Sequence, residues 1–421
     1  MRRKSTLILA IVVFSMISAL AGCSSAPPAE PAPASPPPAP TGTAEPSAPS
    51  VTETAPPEAS PDTSAAPAPA PAPVPAETPE APASPLASLG LVDEPANEAK
   101  LDVALVYSGG EAAGFCYLGS YAMLAKYADP GITFTDVIAN SGVATSAVYM
   151  APMNLLMNEF SIGSMGVAAG NQGFDYYLAA LKGAQLTDEF FAADLVTDAR
   201  QPLAMDSGEE AFELLKKLIS SDIPVMVHLD ISYLKDELSS QSSYLGDVFR
   251  FSGPGDVDHY MVVTGYNQDT IYLNDPTEPA PGKGKDIQVA VSGFMSAWEN
   301  GNSPSLNEDA RIGPYWMLFL GERGPARSAA ELIAWNKEIG RGAPAAIRQA
   351  AERPNINDVM HCNEMYRARK EYGTFLKQNG HASAGDMFLE AAELFGKLCQ
   401  SSSQQADLLK IADLQEQALA Q

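Results

Sequence analysis

The stretch from Asp258 to Pro276, DHYMVVTGYNQDTIYLNDP, constrains the fold more than any other part of the chain. Two runs rich in β-branched and aromatic residues, Tyr260 to Tyr266 and Thr270 to Asn274, flank the polar tripeptide Asn267-Gln268-Asp269 and predict a β-hairpin. With those three residues as the loop, Tyr266 pairs with Thr270 and His259 falls opposite Thr277. Asp275 then lies on the same face as His259, one diagonal away. A four-residue loop would slip the register by one and send the two side chains to opposite faces, so the placement depends on the turn. An imidazole beside a carboxylate is half of a nucleophile-activating site. Taken alone it is also what a satisfied strand histidine followed by an Asp-Pro turn looks like.

The missing half is a nucleophile, and Cys116 is the candidate. Leu101 to Tyr107 reads as a buried strand, Ser108-Gly109-Gly110-Glu111 breaks it, and Phe115 to Ala125 reads as a helix with Cys116 in its first turn. The unsatisfied N–H groups and positive dipole end of a helix start favour a thiolate, the reactive form of cysteine. A small buried hydrophobe is the plain alternative for a free cysteine. The order Cys, then a distant downstream His, then Asp favours the nucleophile, because that is the order of papain-like enzymes.

The N-terminal quarter limits what else can fold. Arg2, Arg3 and Lys4 precede an apolar run from Leu7 to Ala21 that ends in Leu20-Ala21-Gly22-Cys23, an export-signal pattern with small residues at the cut. From Ser24 to about Pro85 the chain is almost entirely Ala, Pro, Ser, Thr and Glu, with nothing to bury. As polyproline II at about 3.1 Å per residue it spans on the order of 150–200 Å, a spacer. Roughly 325 residues remain for about two domains.

The 26 basic against 51 acidic residues leave a net charge of -25, which repels phosphate backbones and excludes nucleic acid as a partner class. The four cysteines, Cys23, Cys116, Cys362 and Cys399, form no CxxC pair, and His361-Cys362 are adjacent rather than ligand-spaced, so neither a metal nor a cofactor is expected.

Between the cysteine helix and the hairpin, Thr135 is expected to cap a short helix to Asn140. Phe160 to Gly173 reads as a Gly-rich cleft wall, and Asn171 to Lys182 as a helix. Ser207-Gly208-Glu209-Glu210 is a capping-box pattern ahead of Phe212, Leu215, Leu218 and Ile219 at helical spacing, and Pro224 to Asp230 is a buried strand. His228, mid-strand, reads as a core histidine. Asp286 to Val291 (strand), Ser292 to Trp298 (helix) and Tyr315 to Leu320 (strand) complete an α+β two-lobed domain.

Three sets of residues carry a family resemblance. They are Cys116-Tyr117-Leu118-Gly119-Ser120; the Glu209 to Lys217 helix leading into Ile223 to Val227 and Asp230; and His259 to Tyr266 with Asn274-Asp275-Pro276. Together they resemble the papain-like double-glycine-leader (bacteriocin-processing) cysteine peptidases. The Cys-Tyr-x-Gly-Ser version resembles the N-terminal domain type of butirosin biosynthesis protein H, an acyltransferase on that fold. The resemblance covers most of Leu101 to Leu320. It implies a papain-like fold with Cys116 as nucleophile, His259 as base and Asp275 as orienter. Such enzymes carry a Gln six residues before the cysteine for the oxyanion hole. Here that position is Gly110, followed by Glu111, which leaves the Cys116 N–H and Ser108 as candidate donors. Losing one such donor costs about 2.7–4 kcal/mol. The Leu20-to-Cys23 arrangement in turn resembles the lipobox of bacterial lipoproteins, implying cleavage before Cys23, a lipid on its thiol and membrane anchoring outside the cytoplasm.

After Pro325, Ser328-Ala329-Ala330-Glu331 is a further capping box, and four helical stretches follow with breaks at Gly342, Pro354, Gly380 and Ser401: a small helical bundle. Cys362 and Cys399 on neighbouring long helices could close a disulfide in an oxidising compartment. The expected organisation is a signal over 1–22, a lipidated linker over 23–96, the papain-like domain over 97–324 and the helical domain over 325–421. The expected activity is hydrolysis of a peptide or amide bond. A non-catalytic module that binds a peptide or protein, or an acyltransferase, are the alternatives. A solute-binding lobe pair is disfavoured by the lack of repeating βαβ pattern.

Overall fold

The computed structural model describes residues 86–106, 115–146, 169–182, 203–241, 257–277, 283–301, 313–352, 362–398 and 405–421. The signal and the linker as far as Pro85, with Cys23, lie outside them, as do Ser108, Gly110, Glu111, Pro354, Ser401 and Cys399; residues 86–96 of the expected linker are described, and Val92 N and Ala96 N donate to the Ser221 and Ser220 hydroxyls. In chain order the strands are β1 (Ala99–Lys100), β2 (Phe174–Leu181), β3 (Leu203–Met205), β4 (Val225–Asp230), β5 (Asp258–Tyr266), β6 (Thr270–Asn274), β7 (Ile287–Ala290) and β8 (Met317–Arg323). The helices around them are α1 (Cys116–Ala128), α2 (Phe134–Ser141), α3 (Gly208–Ser220), α4 (Lys235–Gln241) and α5 (Val291–Glu299). The C-terminal helices are α6 (Ala329–Gly340), α7 (Ala343–Ala351), α8 (Cys362–Gln378), α9 (Ala382–Leu398) and α10 (Gln405–Leu419).

The strands form one sheet in the order β3-β2-β8-β4-β5-β6-β7, with β1 pairing β5. Pairing is antiparallel except between β2 and β3. This is the α+β arrangement that the pattern of elements predicts. The segment from Leu101 forms no strand beyond β1. Leu101 N still donates to Thr264 O, but the carbonyl of Val103 is taken by the Asn274 side-chain amide at 2.9 Å rather than by a ladder partner.

The expected helix over Asn171 to Lys182 is a strand instead. Phe174, Tyr176 and Tyr177 are aromatic residues that favour a pleated, buried surface, and β2 lies between β8 and β3 with Tyr177 stacked on Phe319 at 5.2 Å. The short helix after the cysteine helix is capped two residues earlier than expected. Thr133, not Thr135, makes the capping box with Asp136, while Thr135 Oγ1 donates to the Glu371 carboxylate on α8. At α3 the Ser207 side chain accepts from Glu210 N as predicted, but the Glu210 carboxylate turns to Asp206 N, so only half of the reciprocal box forms.

Five described C-terminal helices replace the expected four stretches, opened by the Ser328–Glu331 capping box. They pack on the end of α2: Asn336 Nδ2 donates to Ala139 O at 2.7 Å, and Arg369, fully buried over the Phe395 ring, donates to Ser146 O and Gln415 Oε1. Burial without a carboxylate partner pulls the Arg369 pKa down to about 9. Among the described residues no helix is long and apolar enough to cross a membrane.

Candidate active site

Helix α1 is apolar on every side, and Tyr117 to Ala125 are all buried, as expected of a helix that runs through a core rather than along a surface. Its first residue, Cys116, is only half-buried. The thiol therefore sits where the helix emerges, at the end that carries unsatisfied N–H groups, and no acidic residue occupies the first turn to offset that positive end.

Two contacts fix this helix start against the hairpin. Ser120, one turn beyond Cys116 on the same side, donates its hydroxyl to Tyr260 O at 3.1 Å. Gly119 faces Pro276: a Cβ at that position would lie 2.6 Å from Pro276 Cβ, so only glycine permits the approach. The Gly-Ser pair after the cysteine is thus a docking surface for residues 260 and 276, which flank His259 and Asp275.

The hairpin reaches the expected register by an unexpected route. Tyr266 pairs with Ile271, the slip that a longer loop produces, but a bulge between Val263 and Gly265 takes up one residue, so Val263 pairs with Leu273 and Val262 with Asn274. His259 and Asp275 consequently meet, with His259 Nε2 at 3.0 Å from Asp275 Oδ1. A carboxylate only accepts, so Nε2 carries the hydrogen. The other ring nitrogen is left for Cys116, whose side chain lies near enough to help raise the imidazole pKa. Asp275 is held in turn by Thr277, whose N and Oγ1 donate to the same Oδ1 at 2.9 and 2.7 Å, while Oδ2 has no partner.

Burial opposes charge on His259, but it is outweighed by the charge and hydrogen bond of Asp275 and then by Cys116, and the imidazole pKa rises to about 10. Burial also works against ionised Asp275, yet the His259 charge and hydrogen bond and the two Thr277 bonds hold its carboxyl below the usual range.

Residues 111–305 match the model of the Peptidase_C39 like family. The match supports a papain-like peptidase-related domain over that span, which contains Cys116, His259 and Asp275 and ends before β8 and the C-terminal helices. No curated protein matches the chain.

Of the remaining sequence candidates, Ser108 and Glu111 are outside the described residues. The expected Cys362–Cys399 pair also falls outside them: Cys362 opens α8, but its side chain and all of Cys399 are not described. Among the described residues no group of three or more His, Cys, Asp or Glu converges as a metal site. Thr277 went unnoticed in the sequence except as the residue opposite His259, because a hydroxyl two residues after an Asp is ordinary turn chemistry.

Proposed function

We propose that the chain is an envelope-anchored lipoprotein whose papain-like domain cleaves a peptide or amide bond through Cys116, His259 and Asp275. The Cys116 thiolate adds to the carbonyl carbon, and the His259 imidazolium returns its proton to the leaving nitrogen as the C–N bond breaks. The resulting thioester is attacked by water, His259 takes the water's proton, and the acid leaves as the thiol is restored. Asp275 keeps the ring oriented throughout. The backbone N–H of Cys116 stabilises the oxyanion.

The observation that carries this reading is the single imidazole that is bonded to Asp275 and has the Cys116 side chain near enough to act on its charge. Anchoring rests on the Leu20-to-Cys23 pattern and the Ala/Pro-rich spacer after it. The test incubates the chain with a peptide library beside its Cys116→Ala variant. Cleavage in the first only supports a hydrolase, and equal product in both removes it.

One observation favours a second reading. Gly110 and Glu111 stand where related enzymes place an oxyanion-binding glutamine, as a binding module derived from the same fold would tolerate. An acyltransferase of butirosin H type would share the first half-reaction and pass the acyl group to an acceptor hydroxyl or amine instead of water.

A further inference from the structure

A second set of polar side chains lies on the sheet beside this site, and its hydrogen bonding is incomplete. In the β4–β5 ladder His228 pairs with Tyr260 and Asp230 with Asp258, so these four side chains share one face. The His228 and Tyr260 rings meet tilted at 45° with centroids 4.7 Å apart, and Trp316 packs edge-on against Tyr260 at 5.6 Å. His228 Nδ1 lies 2.7 Å from Gly301 O. A carbonyl only accepts, so Nδ1 bears the hydrogen and in the neutral ring Nε2 is an acceptor. Gly301 is glycine for a steric reason: a Cβ there would lie 2.4 Å from His228 O.

His228 Nε2 faces Asp258 Oδ1 at 3.6 Å, too far for a hydrogen bond. Both atoms, together with Tyr260 Oη and Trp316 Nε1, lack a hydrogen-bond partner among the described residues. His228, Tyr260 and Trp316 are 1%, 5% and 0% exposed. The Asp258 side chain retains 15%, so the group opens at Asp258. Asp230, 1% exposed, accepts only from the backbone N of Ser232 and Val257, and neither acid has a Lys or Arg partner among the described residues.

We propose that His228, Asp258 and Tyr260 form a substrate subsite for a primary ammonium group, a lysine-type side chain on the acyl side of the bond presented to Cys116. Two acceptor atoms, His228 Nε2 and Asp258 Oδ1, face each other 3.6 Å apart with no donor between them, the Tyr260 hydroxyl can accept as well as donate, and an ammonium brings three N–H donors. Two carboxylates without a Lys or Arg partner among the described residues favour a positive ligand over water, and the Tyr260 and Trp316 rings provide walls that suit both its stem and its charge. The subsite adjoins the thiol: Tyr117, next to Cys116, packs edge-on against Tyr260 at 6.4 Å. Burial, then the charges of Cys116 and Asp258, keep the Tyr260 phenol protonated.

The proposal rests on the thiol-hydrolase reading, and two arms of one experiment separate their failures. In the first, acetylated peptidyl coumarylamides carry Lys, norleucine or Glu at each of the first three acyl-side positions, with a free amino terminus in a matched set to distinguish a terminal amine. At least a tenfold preference in kcat/KM for Lys over norleucine is expected at one position, falling to within twofold in Asp258→Asn and reduced in Tyr260→Phe. A ratio near one at every position, or one that survives Asp258→Asn in a variant of unchanged circular dichroism, overturns it. A preference confined to the free terminus also overturns the lysine assignment.

The second arm needs no turnover. Cys116→Ala is titrated by calorimetry with Nα-acetyl-lysine amide and with Nα-acetyl-norleucine amide. Binding at least tenfold tighter for the lysine compound, lost on adding Asp258→Asn, upholds the subsite even if nothing is cleaved. Equal binding overturns it even if the enzyme is active.

Discussion

Two imidazoles on adjacent strands, each beside a carboxylate and each buried, have different chemistry. His259 has one nitrogen bonded to Asp275 and the Cys116 side chain close enough to act on its charge, and Asp275 is itself held by two donors from Thr277. His228 has one nitrogen committed to the Gly301 carbonyl, while the other faces Asp258 across 3.6 Å. A histidine near an acid therefore does not define a proton-transfer pair. What the second nitrogen meets, and whether the acid is fixed, separates an arrangement that can activate a nucleophile from one that can receive a ligand.

The strongest way to break this contrast is to remove the first ring. His259→Ala is expected to lower turnover of any cleavable peptide by about 10²–10⁴-fold, the usual worth of a positioned acid–base group. A loss below tenfold would put the two histidines on the same footing.

Asp275→Asn sharpens it. The amide oxygen still accepts from Nε2, so the ring stays in place, but the charge that outweighs burial is gone. The alkaline limb of activity, expected near pH 10 in the parent from the raised His259, then moves down by more than one unit. Stability follows the same linkage. The raised His259 contributes fully below its unfolded value near 6.5, and that contribution is lost as pH rises through about 10. The lowered Asp275 contributes above its ordinary value near 3.8 and is lost as pH falls. Denaturant melts across pH 4–10 should therefore show the parent's margin over His259→Gln shrinking above pH 6.5, and a constant margin would contradict the linkage.

Gly119→Ala comes next. Its methyl group must displace Pro276 or tilt α1, at about 1–3 kcal/mol in thermal or denaturant unfolding, with slower alkylation of Cys116. Thr277→Val has the smallest effect. It removes one of the two Thr277 donors to Asp275 while the Thr277 backbone N–H and His259 Nε2 remain, about 1 kcal/mol, and should slow peptide turnover less than Asp275→Asn does.

Much of the nucleophilic site was legible because its parts are local: a cysteine opening a helix, and a histidine and aspartate on one hairpin. Even there the register was right through compensation, since the loop slip and the bulge at Val263–Gly265 cancel near His259. Bulges leave little trace in side-chain alternation. β2 was misread because its burial on both faces erased the alternation that marks a strand, and its length suited a helix. The His228 cluster was not legible at all. It depends on β4 meeting β5 across nearly thirty positions and on Trp316 and Gly301 arriving from farther away, and no local pattern encodes those pairings. The reason for Gly119 likewise lies in Pro276, distant in the chain and in contact only after folding.

The most direct test is the rate at which iodoacetamide alkylates Cys116 at pH 6, followed by mass spectrometry of the labelled peptide. The account predicts alkylation at least tenfold faster than that of N-acetylcysteine, collapsing in His259→Ala. Labelling no faster than the free thiol, and indifferent to His259→Ala, would contradict it.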